Sequence, residues 1–177
     1  MEGTLEERNN GDPETTIRKN FFVSYARADN PLPNRLLALL HPRLAIMNGF
    51  DCDAWTDTMI PVGTAWREEI DAALDRCDFG LLLLSSGFFA SRPISNQELP
   101  HFLGPDPDGG IRIHKLIVPV GLKFVPLDGS ADLKGLDQTQ IFRDSQGHWF
   151  NQTRGHISET FADELVGAIS TKLKAHP

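Results

Sequence analysis

The run Phe79-Gly80-Leu81-Leu82-Leu83-Leu84 constrains this chain more than any other segment. It is apolar throughout, so neither of its faces suits water. A run of that kind reads as a strand covered on both sides, the environment of a central strand in a parallel sheet. Ser85-Ser86-Gly87 then supplies a turn of small residues. Phe21-Phe22-Val23-Ser24-Tyr25 is a shorter β-prone run that also reads as buried on both faces.

Helical patterns separate such runs. Asn34 to Met47 sets Leu36, Leu37, Leu40, Leu44 and Met47 on one stripe, with Pro42 expected to kink or divide the helix and Asn48-Gly49 to stop it. Phe50 to Thr56 reads as a strand and Asp57 to Gly63 as a loop. Thr64 is the expected N-cap of the next helix. There Glu68 and Glu69 suit the positive end of the dipole, and Trp66, Ile70, Ala73, Leu74 and Cys77 share one side. Helical turns from Gly87 to Leu103, interrupted by Pro93, follow the central strand. A turn-rich loop from Gly104 to Gly110 leads to a strand at Leu116 to Leu122. An irregular stretch, a short fifth strand at Gln140 to Phe142 and a closing helix from Ile157 to Leu173 complete the pattern. Alternating strands and helices imply right-handed βαβ units, hence an α/β fold: a flavodoxin-like three-layer sandwich around a five-stranded parallel sheet. Residues 1–19 are polar and acidic and are expected to form a disordered tail, leaving residues 20–177 as one domain.

Composition narrows the function. A net charge of -7, with Arg18-Lys19 as the only basic doublet, argues against a nucleic-acid or anionic-membrane surface. No apolar run approaches the roughly 20 residues of a membrane span, and no signal pattern opens the chain. Cys52 and Cys77 show no metal-ligand spacing and read as buried hydrophobes in a reducing, cytoplasmic setting. The chain contains neither phosphate-loop glycine motif, no Gly-x-Ser-x-Gly elbow and no His spacing suited to zinc. No metal site or cofactor is expected. Ser24-Tyr25-Ala26 stands where a phospho-acceptor receiver needs an acidic pair.

What remains is Glu98, beyond the turn that follows the central strand. In open α/β sheets ligands bind at the C-terminal ends of strands, so a carboxylate there is a candidate for chemistry. With it stand further pieces in a definite order: Phe21 to Asp29 with its Ser24-Tyr25, Trp55-Thr56-Asp57 through Ile60-Pro61-Val62-Gly63, Trp66-x-x-x-Ile70, Phe79 to Ser86 with Phe88, Phe89 and Ser91, and Val118-Pro119-Val120. In that order and spacing the chain resembles the Toll/interleukin-1 receptor (TIR) domains, specifically the bacterial ones, over about residues 20 to 174. The resemblance makes residues 20–177 a TIR domain.

Many TIR domains hydrolyse or cyclise NAD at the nicotinamide–ribose bond, with a glutamate in a pattern like aromatic-x-x-x-Glu. Glu98 matches it, with Ile94 in the aromatic place. The resemblance implies that Tyr25, Ala26 and Arg27 line the site, with Arg27 available to the phosphates, and that Asp57 and Trp66 face it. NAD is then the substrate, with no separate cofactor. Nicotinamide leaves as a neutral molecule, so the acid of an ordinary glycosidase is not needed and one fixed carboxylate can suffice. The second class of function is an adaptor that pairs with other TIR domains through the BB loop, with Met59, Ile60, Pro61 and Gly63 as the contact. TIR enzymes also self-assemble, and bacterial ones are often joined to a sensor domain, so the chain is read either as a stand-alone protein or as an excised effector domain. A nucleoside deoxyribosyltransferase shares a related sheet and a glutamate, but Ser24-Tyr25 and Trp66-x-x-x-Ile70 argue against it.

Overall fold

The computed structural model describes residues 16–176. The elements run β1 (Ile17–Ser24), α1 (Leu32–Leu44), β2 (Phe50–Trp55), α2 (Trp66–Arg76), β3 (Phe79–Leu84), α3 (Ser86–Ala90), a π-helical turn (Ile94–Glu98), α4 (Leu99–Phe102), β4 (Leu103–Pro105), β5 (Ile111–Ile113), β6 (Leu116–Gly121) and α5 (His156–Ala175). The main sheet is parallel, in the order β2-β1-β3-β6. The α/β sandwich is therefore as expected, but its sheet has four strands rather than five. At the expected fifth strand only Phe142 pairs, in a parallel bridge to Val120. Asp144 explains the early end. It accepts from the amides of Gln146 and His148 and turns the chain away from the sheet edge.

Period-two alternation divides the core. Phe21, Val23, Leu81 and Leu83 face α1 and α5, packing with Leu36, Leu40, Phe161 and Leu165. Phe22, Leu82 and Leu84 face the other layer, packing with Ile70, Leu74, Ile94 and Phe102. β3 is buried at every position, which is why its sequence is apolar without alternation.

Several local expectations are corrected. β1 starts at Ile17, because residues 17 to 20 pair with residues 50 to 53 of β2. The part of the expected tail at residues 17–19 is thus strand, and residues 1–15 lie outside the described residues. Pro42 does not divide α1, which continues through it, but the helix ends at Leu44, short of the expected Met47; Pro42 has no N–H to return to the Ala38 carbonyl. Thr64 is not the N-cap of α2. Its hydroxyl donates to the Pro61 carbonyl at 2.9 Å, and Ala65 takes the cap position without a side-chain bond. The turn-rich stretch after Leu103 is flanked by an antiparallel pair, β4 and β5, each too short to announce itself. Cys52 is half-buried and Cys77 buried, both as free thiols. Among the described residues no helix is long and apolar enough to cross a membrane.

Gly80 places the segment that carries Glu98. A Cβ there would sit 2.6 Å from the ring of Phe102, which is fully buried and cannot retreat. Gly80→Ala is therefore expected to cost about 1–3 kcal/mol, read as a lower urea midpoint at unchanged slope.

Candidate active site

Ser24 is the last residue of β1, and its side chain points to the same face of the sheet as Phe22. A serine at 1% exposure on a buried strand needs a partner, and it has one: its hydroxyl donates to Glu98 Oε2. Glu98 ends the π turn. Pro100, two residues on, has no N–H to return to Asn96, so the α ladder opens. The Leu99 amide bonds instead to the Ile94 carbonyl, five residues back. The widened turn buries Ile94 and Glu98 while Gln97 reaches sideways to Asp71 Oδ1 at 2.9 Å.

Glu98 is 9% exposed. Burial is the main reason that its carboxyl is pushed up from 4.5 to about 7. The Ser24 hydroxyl pulls it back down, and the negative charge of Asp57 pushes it up again. Half of the molecules would thus hold the proton near pH 7.

Asp57 begins the loop after β2, and its side chain is largely enclosed. It accepts from the Tyr25 hydroxyl at 3.3 Å and from Arg27 Nε at 2.8 Å, with the Arg27 terminal nitrogen at 2.7 Å. Burial and Asp57 raise the Tyr25 phenol above its ordinary value, which keeps it a donor. The Arg27 guanidinium also lies 5.8 Å from the ring centre of Trp66. The structure therefore brings Tyr25, Arg27, Asp57 and Trp66 into one contact chain. Charge repulsion couples that chain to Glu98. Ala26 is buried beneath the loop and carries the carbonyl that accepts the Asp29 amide.

Trp66 is 37% exposed, so the expectation that it shares the buried side of α2 with Ile70 is corrected. As the first residue of the helix it lies beyond the packed turns. Ile94 packs in the core, so no ring stacks at that place in this chain. Of the loop residues, Met59 is exposed, Pro61 is exposed and Gly63 adopts a φ of +90°, which favours glycine. Ile60, expected at the contact surface, is half-buried against the core. Its neighbour Val62 is instead fully exposed.

Two groups were missed. Ser24 was seen only as part of a motif, although a polar residue at the inward face of a buried strand was the signal. Asp29 is 5% exposed and accepts from the Ser85 hydroxyl and from Lys123 Nζ at 2.7 Å. It ties the loop after β1 to the ends of β3 and β6. Ser85 also caps α3 by accepting the Phe88 amide at 2.9 Å. Trp66 and Gln97 further line a cavity of about 510 Å³ between α2 and the π turn, which Glu98 does not line.

The TIR domain family matches residues 21–155, most of the described fold. The chain belongs to the TIR domain family. It is also similar to the 2' cyclic ADP-D-ribose synthase AbTIR of Acinetobacter baumannii (strain 1295743), at 28% identity over 126 residues. That match covers 71% of this chain and 43% of the relative, so less than half of the relative's length is matched.

A buried acid with a raised pKa weakens the fold when it ionises. Between pH 4.5 and about 7 the folded TIR domain keeps a proton that the unfolded chain has released, so stability falls as pH rises through that window. The shift corresponds to about 3 kcal/mol. Glu98→Gln keeps an acceptor for Ser24 and removes the charge. It is expected to raise stability by up to about 3 kcal/mol at pH 8 and by nearly nothing at pH 4, measured by urea unfolding at both.

Proposed function

We propose that this TIR domain cleaves NAD between nicotinamide and ribose, with Glu98 as the catalytic carboxylate. The burial of Glu98 and its hydroxyl partner at the end of β1 carry the reading. In the reaction the bond from nicotinamide N1 to ribose C1′ breaks, and both electrons go to the ring nitrogen. The pyridinium thereby becomes a neutral leaving group, and no acid has to protonate it. Positive charge grows on C1′, where a fixed anion in a dry site stabilises it without having to reorganise. Ser24 holds the carboxylate in one orientation. The second charge, Asp57, adds negative potential. Water then takes C1′ to give ADP-ribose and a proton, or a hydroxyl of the same molecule closes a cyclic isomer. The similarity to a cyclic ADP-ribose synthase supports this class of chemistry. NAD is consumed as substrate, and no separate cofactor takes part.

The test is nicotinamide release from NAD by the purified chain at high concentration. Glu98→Ala and Glu98→Gln should each lose about 100-fold or more. The ionised form is the active one. For the wild type, kcat/KM therefore climbs about tenfold per pH unit below about 7 and levels off above it. Equal release by wild type and both variants removes the reading.

In the same proposal the chain acts when assembled, under a separate or fused sensor, in a cytoplasmic defence or effector role. Exposure of Met59 and Val62 on the loop after β2 supports self-association and is the one observation that also suits a non-enzymatic adaptor. Covering Val62 is worth about 1.5–3 kcal/mol. Val62→Asp is accordingly expected to weaken association about tenfold or more, by sedimentation, with the circular dichroism spectrum unchanged. Unchanged association places the contact elsewhere.

A further inference from the structure

Beside the glutamate lies a space that the bond cleavage above does not use. Trp66, Arg67 and Asp71 of α2 form one wall of the cavity of about 510 Å³, and Arg92, Asn96 and Gln97 from the π turn and its entry form the other. The size suits a small organic ligand, for which about 300–1,000 Å³ is usual. Its floor is already built. Gln97 Nε2 donates to the Arg67 carbonyl at 3.0 Å and to Asp71 Oδ1 at 2.9 Å, which fixes α2 against the π turn.

The charges are the unusual part. The protein carries a net -7, so guanidinium groups have carboxylates to spare. Arg18, Arg27, Arg43 and Arg112 are ion-paired. Arg35, Arg143 and Arg154 bind carbonyls. Among the described residues only Arg67, Arg76 and Arg92 make no such bond, and two of those three border this one cavity. Arg67 and Arg92, neither of them ion-paired, border one space that also holds the Asp71 carboxylate, and the fork geometry of a guanidinium matches phosphate oxygens. Trp66 adds a half-exposed indole to the same wall. An aromatic ring beside paired arginines recognises a flat base joined to phosphate.

We propose that the cavity between α2 and the π turn binds a nucleotide, with the base against Trp66, phosphate across Arg67 and Arg92, and a ribose hydroxyl donated to Asp71. Two sources have this chemistry. One is the ADP half of the NAD whose ribose meets Glu98, since Gln97 lines the cavity and is the residue before Glu98. The other is a free nucleotide acting as a regulator. The site is defined by the same groups in both cases.

The experiment uses the full chain carrying Glu98→Gln, so that no turnover consumes ligand, and titrates it with ADP by calorimetry. Adenosine and inorganic phosphate serve as half-ligand controls. ADP is expected to bind, with each half weaker by about tenfold or more. The added pair Arg67→Ala and Arg92→Ala should weaken ADP by about tenfold or more at unchanged melting temperature. Asn96→Trp, which fills the space, should act alike. Competition between NAD and ADP, with the arginine pair raising KM but not kcat when Glu98 is intact, assigns the site to the substrate. Simultaneous binding of NAD and ADP assigns it to a separate nucleotide. No ADP binding, or equal affinity with and without the two arginines and with the space filled, overturns the proposal. Binding is read on an inactive variant, so this outcome is independent of whether the chain cleaves NAD.

Discussion

The hydrogen bond from Ser24 to the buried carboxylate of Glu98 is the contact around which the rest of the site is arranged. It joins the end of the first strand to a helical turn more than seventy residues later. A carboxylate in so dry a place is costly, and a single hydroxyl offsets only part of that cost. The residual strain is electrostatic and appears as a carboxyl that resists ionisation. In the proposed reaction, a carboxylate that faces a developing cation gains from the same low dielectric.

The remaining structure serves to keep that contact in place. Gly80 lets Phe102 press onto the central strand, and Pro100 forces the turn before it to open. Together they bring Glu98 beneath the end of β1. Asp29, held by Ser85 and Lys123, anchors the loop that carries Tyr25 and Arg27. Arg27, exposed, and the Tyr25 hydroxyl both bind the largely enclosed Asp57 carboxylate, so the loop after β2 is fastened to the loop after β1.

Much of this was legible in the sequence. The apolar run of β3 and the alternating helices require a parallel sheet, and that sheet is present. Tyr25, Arg27, Asp57 and Trp66 form one contact chain, and Glu98 meets Ser24 at the end of β1. The failures have local causes. A strand of one residue at Phe142 cannot be told from a real edge strand, because the hydrogen bonds of Asp144 that end it leave no hydrophobic pattern. Trp66 sits at the helix start, where the 3.6 period no longer dictates burial. The role of Ser24 depends on a contact far along the chain, which periodicity does not encode. Arg67 and Arg92 become a pair only after α2 and the π turn have packed.

The most direct test is the titration of Glu98 itself, followed by the carboxyl carbon shift in the isotope-labelled chain and assigned by its absence in Glu98→Gln. The account predicts a midpoint near 7, moving upward when Ser24 is replaced by Ala because the donor that favours the anion is gone. A midpoint at the ordinary 4.5, indifferent to Ser24, would show a solvated glutamate and contradict the account.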